Sequence, residues 1–253
     1  VDLLAFVAIG IALGLALGLF GGGGGILAIP LLVAAGVPTD EAGTTSLIVV
    51  GIGAIGGLLP HARAGRVAWA QGATFGALGI VGAFAGSKLA LVTDDAIQLW
   101  GFAIVLVVAG SLMLRKALRS GSTGGVPEPD GPRRSWLLII ITAAAVGMFT
   151  GFFGVGGGFL VVPALTLVMG MAVHRATATA LLVIVINSTA AFVPRAGEAL
   201  DVQVAVVVSI SVLLASAFAA RWSNRWSARS LGLGFAVLVL SMSVLTVSQA
   251  ISA

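Results

Sequence analysis

The sequence predicts an all-α polytopic membrane protein made of two inverted-topology repeats, each with four long helices and one short broken or half-helix after a glycine-rich loop. Three observations predict it. The 253 residues are 59% hydrophobic and only 9% charged, where a soluble domain carries about a quarter charged residues. The apolar residues fall in helix-length blocks rather than in the roughly ten-residue alternation of a membrane barrel strand. Finally, the run from Gly21 to Pro30 (GGGGGILAIP) is echoed from Gly154 to Pro163 (GVGGGFLVVP).

Five apolar segments are read in each half: 3–20, 26–37, 42–59, 70–92 and 97–114, then 136–153, 159–173, 176–193, 202–221 and 231–247. The second of each set is too short to cross a bilayer; twelve residues reach about 18 Å, roughly half the hydrocarbon core. Half-helices meeting near the midplane are the expected picture, in six to ten spans with eight long segments as the middle reading. The repeats are expected at 1–114 and 136–253, joined by 115–135, whose Gly, Pro, Ser and charge mark a flexible linker. The halves align beyond the glycines. Gly14 and Gly18 match Gly147 and Gly151, and after a one-residue insertion Ala42–Leu47 matches Ala176–Leu181 and Pro60 matches Pro194.

Charge placement gives the topology. Arg115, Lys116, Arg119, Arg133 and Arg134 put the linker in the cytoplasm, and Arg221, Arg225 and Arg229 do the same for the last loop. The loop with Glu198 and Asp201 then lies outside, while its counterpart with Arg63 and Arg66 lies inside. Opposite charge bias in matching loops is the signature of inverted repeats. Both termini come out extracytoplasmic. No cleavable signal is expected, because the first segment lacks a basic leader.

Composition also narrows the chemistry. There is no cysteine, and there are two histidines, so disulfides, thiolate sites and a clustered metal site are not expected. No hydrolase, nucleotide or dinucleotide motif stands in its required context. A non-enzyme without cofactors or a nucleic-acid partner is expected, surrounded by lipid. Trp69, Trp100, Trp136, Trp222 and Trp226 sit at segment ends as an interfacial belt. Lys88 is expected to snorkel toward Asp94 or Asp95.

Glycines expose backbone amides, and a helix starting just after them aims its unpaired N–H groups and positive dipole end back at the loop. Two such ends facing each other suit one small anion. Gly22, Gly23, Gly24, Gly25, Ile26, Gly156, Gly157, Gly158 and Phe159 are therefore substrate-binding candidates. Close packing is the competing reading, and it surely explains Gly10, Gly14 and Gly18. Thr45, Ser46, Thr179, Asn187 and Ser188, on the segments after the short helices, offer further donors. For a single threonine, interhelical bonding ranks first; an adjacent amide and hydroxyl in mid-span point to a ligand. His61, Arg63 and Arg195 are gating candidates, although such residues are more often interfacial anchors. On this reading Gly24→Leu and Gly157→Leu abolish transport and leave folded protein in the membrane.

The paired glycine runs, the Ala-x-x-Thr-Ser/Ala-Leu stretches and the turn Gly65–Trp69 together resemble the sulfite exporter TauE/SafE family of permeases, over the whole chain. That resemblance implies a plasma-membrane permease for sulfite, sulfonates or related sulfur-containing anions, often moved outward. Val155 interrupts the second glycine run, and Ala180 stands where the first half has Ser46. The expected function is a secondary transporter, and in all expectation an exporter, working by alternating access. If a proton is coupled, His61, His174, Glu41 and Glu198 are its carriers; a homo-oligomer is compatible with the sequence. An anion channel ranks second and a non-transporting membrane scaffold third.

Overall fold

A computed structural model describes residues 3–119, 136–155 and 158–252. Most of the expected linker (120–135), Gly156 and Gly157 lie outside the described residues. Ten helices follow in order among them: α1 (Leu3–Phe20), α2 (Gly23–Ala34), α3 (Thr39–Arg63), α4 (Trp69–Ala90), α5 (Asp95–Arg119), α6 (Trp136–Phe153), α7 (Gly158–Val168), α8 (Val173–Phe192), α9 (Val202–Trp222) and α10 (Ala228–Ser252). Eight are long and apolar enough to cross a membrane, and α2 and α7 are the short ones. The described residues contain no strand.

Glycine and proline set the breaks. Gly21 and Gly154 take φ of +69° and +65°, which reverses the chain after α1 and after α6. Gly36 and Gly170, also left-handed, end α2 and α7. Matching residues of the two halves thus carry the same backbone irregularity. Pro163 has no N–H to donate, and beyond it α7 widens into a π turn, with Met169 N donating to Ala164 O at 3.3 Å. One sequence expectation changes here. The glycine run is not all loop, because the helix restarts at once and Gly23, Gly24 and Gly25 form the first turn of α2.

Helices α3 and α8 are the most deeply buried spans and cross at the centre with α2 and α7 wedged beside them. On one flank α1 lies along α9. A Cβ added at Gly10, Gly14 or Gly18 would stand 2.5–2.7 Å from the Cβ of Ser211, Ala215 or Ala219, so only a bare backbone permits this approach. On the other flank α6 lies along α4, where Gly82 and Gly86 face the carbonyls of Ala144 and Met148. Helices α5 and α10 form a third pair over α2 and α7, closing an apolar core around Phe102, Leu106, Phe159 and Phe235. The outer faces carry exposed Leu4, Val81, Ile104, Leu137, Leu214 and Val244. An apolar exterior of this kind is a surface for lipid. All five tryptophans are exposed at helix ends. Lys88 lies over the Phe84 ring, its Nζ 4.9 Å from the centroid.

Loops sort to two ends. His174 bonds the Trp226 carbonyl at 3.1 Å at one end, where Arg66 also meets His61. At the other, Thr93, Gln98, Arg195 and Glu198 surround one cavity, and Glu41 and Asp201 border a second. Asp201 caps α9, its Oδ1 accepting from Val204 N at 3.0 Å. Asp201→Ala should cost about 1 kcal/mol, read as a small fall in melting temperature with the fold unchanged.

Candidate functional site

The two glycine turns meet backbone to backbone between α3 and α8. Gly22 abuts the Gly158 backbone, and Gly25 abuts the Val155 carbonyl. A Cβ on Gly158 would stand 2.5 Å from Ile184 Cδ1 and 2.6 Å from Gly22 Cα. The crossing therefore lies against Ile184 of α8, one helical turn before Asn187 and Ser188. Outside this crossing the contacts pair off: Gly21 lies on Thr177, and Gly154 lies on Gly43. Ile26 and Phe159, the first large side chains after the turns, are fully buried in one apolar cluster. The first amides of α2 have no acceptor within their own helix, and they start where the second turn crosses.

Gly24 behaves differently from the sequence expectation. A Cβ there would meet the Leu13 carbonyl and the Leu17 side chain, so this glycine serves the approach of α2 to α1. Gly23 has more room, its nearest neighbour being the Phe20 ring at 3.3 Å. Gly156 and Gly157 lie outside the described residues.

The polar candidates divide. Thr179 is engaged: its Oγ1 accepts from Ala68 N at 3.0 Å and ties α8 to the start of α4. Ser46 Oγ donates within α3 and to the Gly154 carbonyl, holding the second turn against α3. Thr45 and its neighbour Thr44 are buried, and neither hydroxyl has a partner among the described residues. Asn187 is fully buried with both amide atoms unpartnered among the described residues, as is the Ser188 hydroxyl. Room for the amide comes from Gly79, where a Cβ would fall 2.8 Å from Asn187 Oδ1. An unpartnered amide in an apolar interior costs about 1–3 kcal/mol.

Among the gating candidates, Arg63 is exposed at the end of α3. His61 and Arg195 occupy matching places at opposite ends, and both are buried. His61 lies against the Gly18 backbone, and Arg195 Nη2 approaches the Gly151 carbonyl at 3.4 Å. Those two glycines also match between halves. Arg66 Nη1 stands 3.3 Å from His61 Nδ1. A guanidinium only donates, so Nδ1 accepts and the ring proton sits on Nε2, which has no partner at hydrogen-bond geometry among the described residues. Sequence reasoning missed Ser87, whose Oγ accepts from Arg195 Nε at 3.0 Å and donates to Ala191 O at 2.7 Å. It also missed Gly79. Both belong to the small-residue ridge of α4 (Gly72, Gly76, Gly79, Gly82, Gly86 and Ser87), which marks close approach without saying to what.

Residues 6–246 match the family described as sulfite exporter TauE/SafE. A protein of Xylella fastidiosa (strain Temecula1), named "Probable membrane transporter protein", is 35% identical over 190 residues, covering 72% of this chain and 70% of that one. A protein of Methanocaldococcus jannaschii with a name of the same kind is 29% identical over 189 residues, covering 72% and 68%. No solved structure matches. With a family match spanning nearly all of its helices, this chain belongs to the sulfite exporter TauE/SafE family of membrane transporters.

Proposed function

We propose that this protein is a secondary transporter of a small sulfur-containing anion, sulfite or an organosulfonate, exported across the bacterial inner membrane by alternating access. The observation that carries the reading is the crossing of the two glycine turns beside an unpartnered, fully buried Asn187. Gly22–Ile26 and Gly156–Phe159 supply backbone amides, and Asn187 and Ser188 complete the shell one turn away. Thr45 adds a hydroxyl, while Thr179 and Ser46 hold the frame. Neutral donors bind an anion without the formal charge pair that slows release. Export down an inside-negative potential gains about 2.3 kcal/mol per charge per 100 mV, so no nucleotide is needed.

The repeats, proposed at 1–114 and 136–253, would have inverted topology with both termini outside. Matched left-handed glycines and the matched pairs α1–α9 and α6–α4 support this. Because those pairs each join one helix from either half, the moving bodies are mixed pairs rather than whole repeats. Melting of the purified protein against sulfite, sulfate, thiosulfate, taurine, sulfoacetate and chloride tests the reading. An anion at a hundredfold its Kd adds about 2.7 kcal/mol. Saturable stabilisation by a sulfur oxyanion, with saturable flux in proteoliposomes, is expected; non-saturating flux favours a channel.

A further inference from the structure

At the end opposite His61, a cavity of about 220 Å³ opens between α3, α4, α5 and α8. Its wall is half polar chemistry and half hydrocarbon: Arg195, Glu198, Gln98 and Thr93 against Phe102, Phe153 and Leu99. Arg195 is only 7% exposed. Two of its donors are spoken for, by Ser87 Oγ at 3.0 Å and Gly151 O at 3.4 Å. Nη1 lies at the cavity wall with no protein acceptor among the described residues, and Glu198, exposed and also lining the cavity, makes no salt bridge with the guanidinium there. Gly43 makes the room, since a Cβ would stand 2.7 Å from Nη1. A guanidinium so deeply buried without a salt bridge is left with a free donor to satisfy.

We propose that Arg195 anchors an anion-binding site in this cavity, separate from the glycine crossing, which takes a small oxyanion carrying an apolar body. Nη1 of the guanidinium meets the oxyanion head, Gln98 Nε2 being held by the Ala90 and Thr93 carbonyls at 3.0 Å, and Phe102, Phe153 and Leu99 cover the body. Ser87 and the Gly151 carbonyl fix the fork, which lowers the ordering cost on binding. Gly43 lies on Gly154, so the cavity floor abuts the second glycine turn. As an element of the transport path the site rests on the transporter reading; as a binding site it does not.

The test is melting of the purified full chain against ethanesulfonate and butyrate, with neutral ethyl methyl sulfone as the control, alongside proteoliposome flux. Wild type is expected to show saturable stabilisation by the anions and none by the sulfone. Arg195→Gln should raise the apparent Kd roughly ten- to hundredfold, Arg195→Lys less. Leu99→Trp, which fills the cavity and leaves the arginine in place, should abolish the shift and covers the case in which Arg195→Gln does not fold. A purely structural arginine predicts a lower melting temperature for Arg195→Gln with anion Kd unchanged within about twofold and an indifferent Leu99→Trp; that result overturns the site. Saturable wild-type flux beside unchanged Kd in both variants removes this site and keeps the transporter. Arg195-dependent binding without flux keeps the site and removes the transporter.

Discussion

Gly22→Leu is expected to leave no folded protein in detergent, rather than a folded protein that has lost transport. Gly22 Cα lies against the Gly158 backbone, and backbone on both sides has no rotamer by which to yield. The side chain would have to separate α2 from α7 and open the contact with Ile184, a loss above about 4 kcal/mol. Gly24→Leu should fail in the same way, because its Cβ would meet α1 at Leu13 and Leu17. Gly23→Ala is the discriminating partner, since its neighbours are side chains at 3.3–3.5 Å. It should fold, with a melting temperature near that of the wild type. Size-exclusion profiles of the three variants are the measurement. A monodisperse Gly22→Leu protein with normal helicity would show that the crossing is looser than drawn here.

Asn187→Leu is expected to separate stability from function in the opposite direction. Leucine repeats asparagine's γ-branched outline with somewhat more bulk and brings no polar atoms to an environment where both amide atoms are unpartnered among the described residues. The variant should be as stable as the wild type, or more stable by up to about 2 kcal/mol, because the desolvation cost disappears. Transport should nevertheless fall at least about tenfold, the effect of one lost hydrogen bond to a charged solute. An amide kept for packing predicts the reverse, a destabilised protein with proportionate flux. Melting temperature and initial rate, measured on the same preparation, decide between them.

Much of this fold is legible in one sequence because lipid imposes so strict a code. Apolar runs bounded by charge fix the helices, so that 3–20 and 136–153 match α1 and α6 end to end. The short pair is legible from length alone. Local pattern does not reveal partnership. Gly10, Gly14 and Gly18 announce that something approaches closely, yet nothing near them says that it is α9. The same gap explains the glycines, because five in a row suggests loop while Gly23, Gly24 and Gly25 open α2 and meet residues from distant parts of the chain. Arg195 shows the limit most plainly. An arginine after a span reads as an interfacial anchor, and its burial depends on Ser87 and Gly43 from two other helices. Thr179, by contrast, is taken up by Ala68 N, a structural use that the general preference of membrane threonines already favoured.

The pairing of α1 with α9 and of α4 with α6 also bears on how such a chain is made. A ribosome delivers α1 long before α9, so the glycine ridge of α1 enters the bilayer ahead of the helix it fits. During that interval the ridge faces lipid or α2 and α3, and the second ridge, on α4, waits for α6. The early half is thus an open clasp through most of synthesis. Its closure is timed by the arrival of the late half rather than by any property of the early helices themselves.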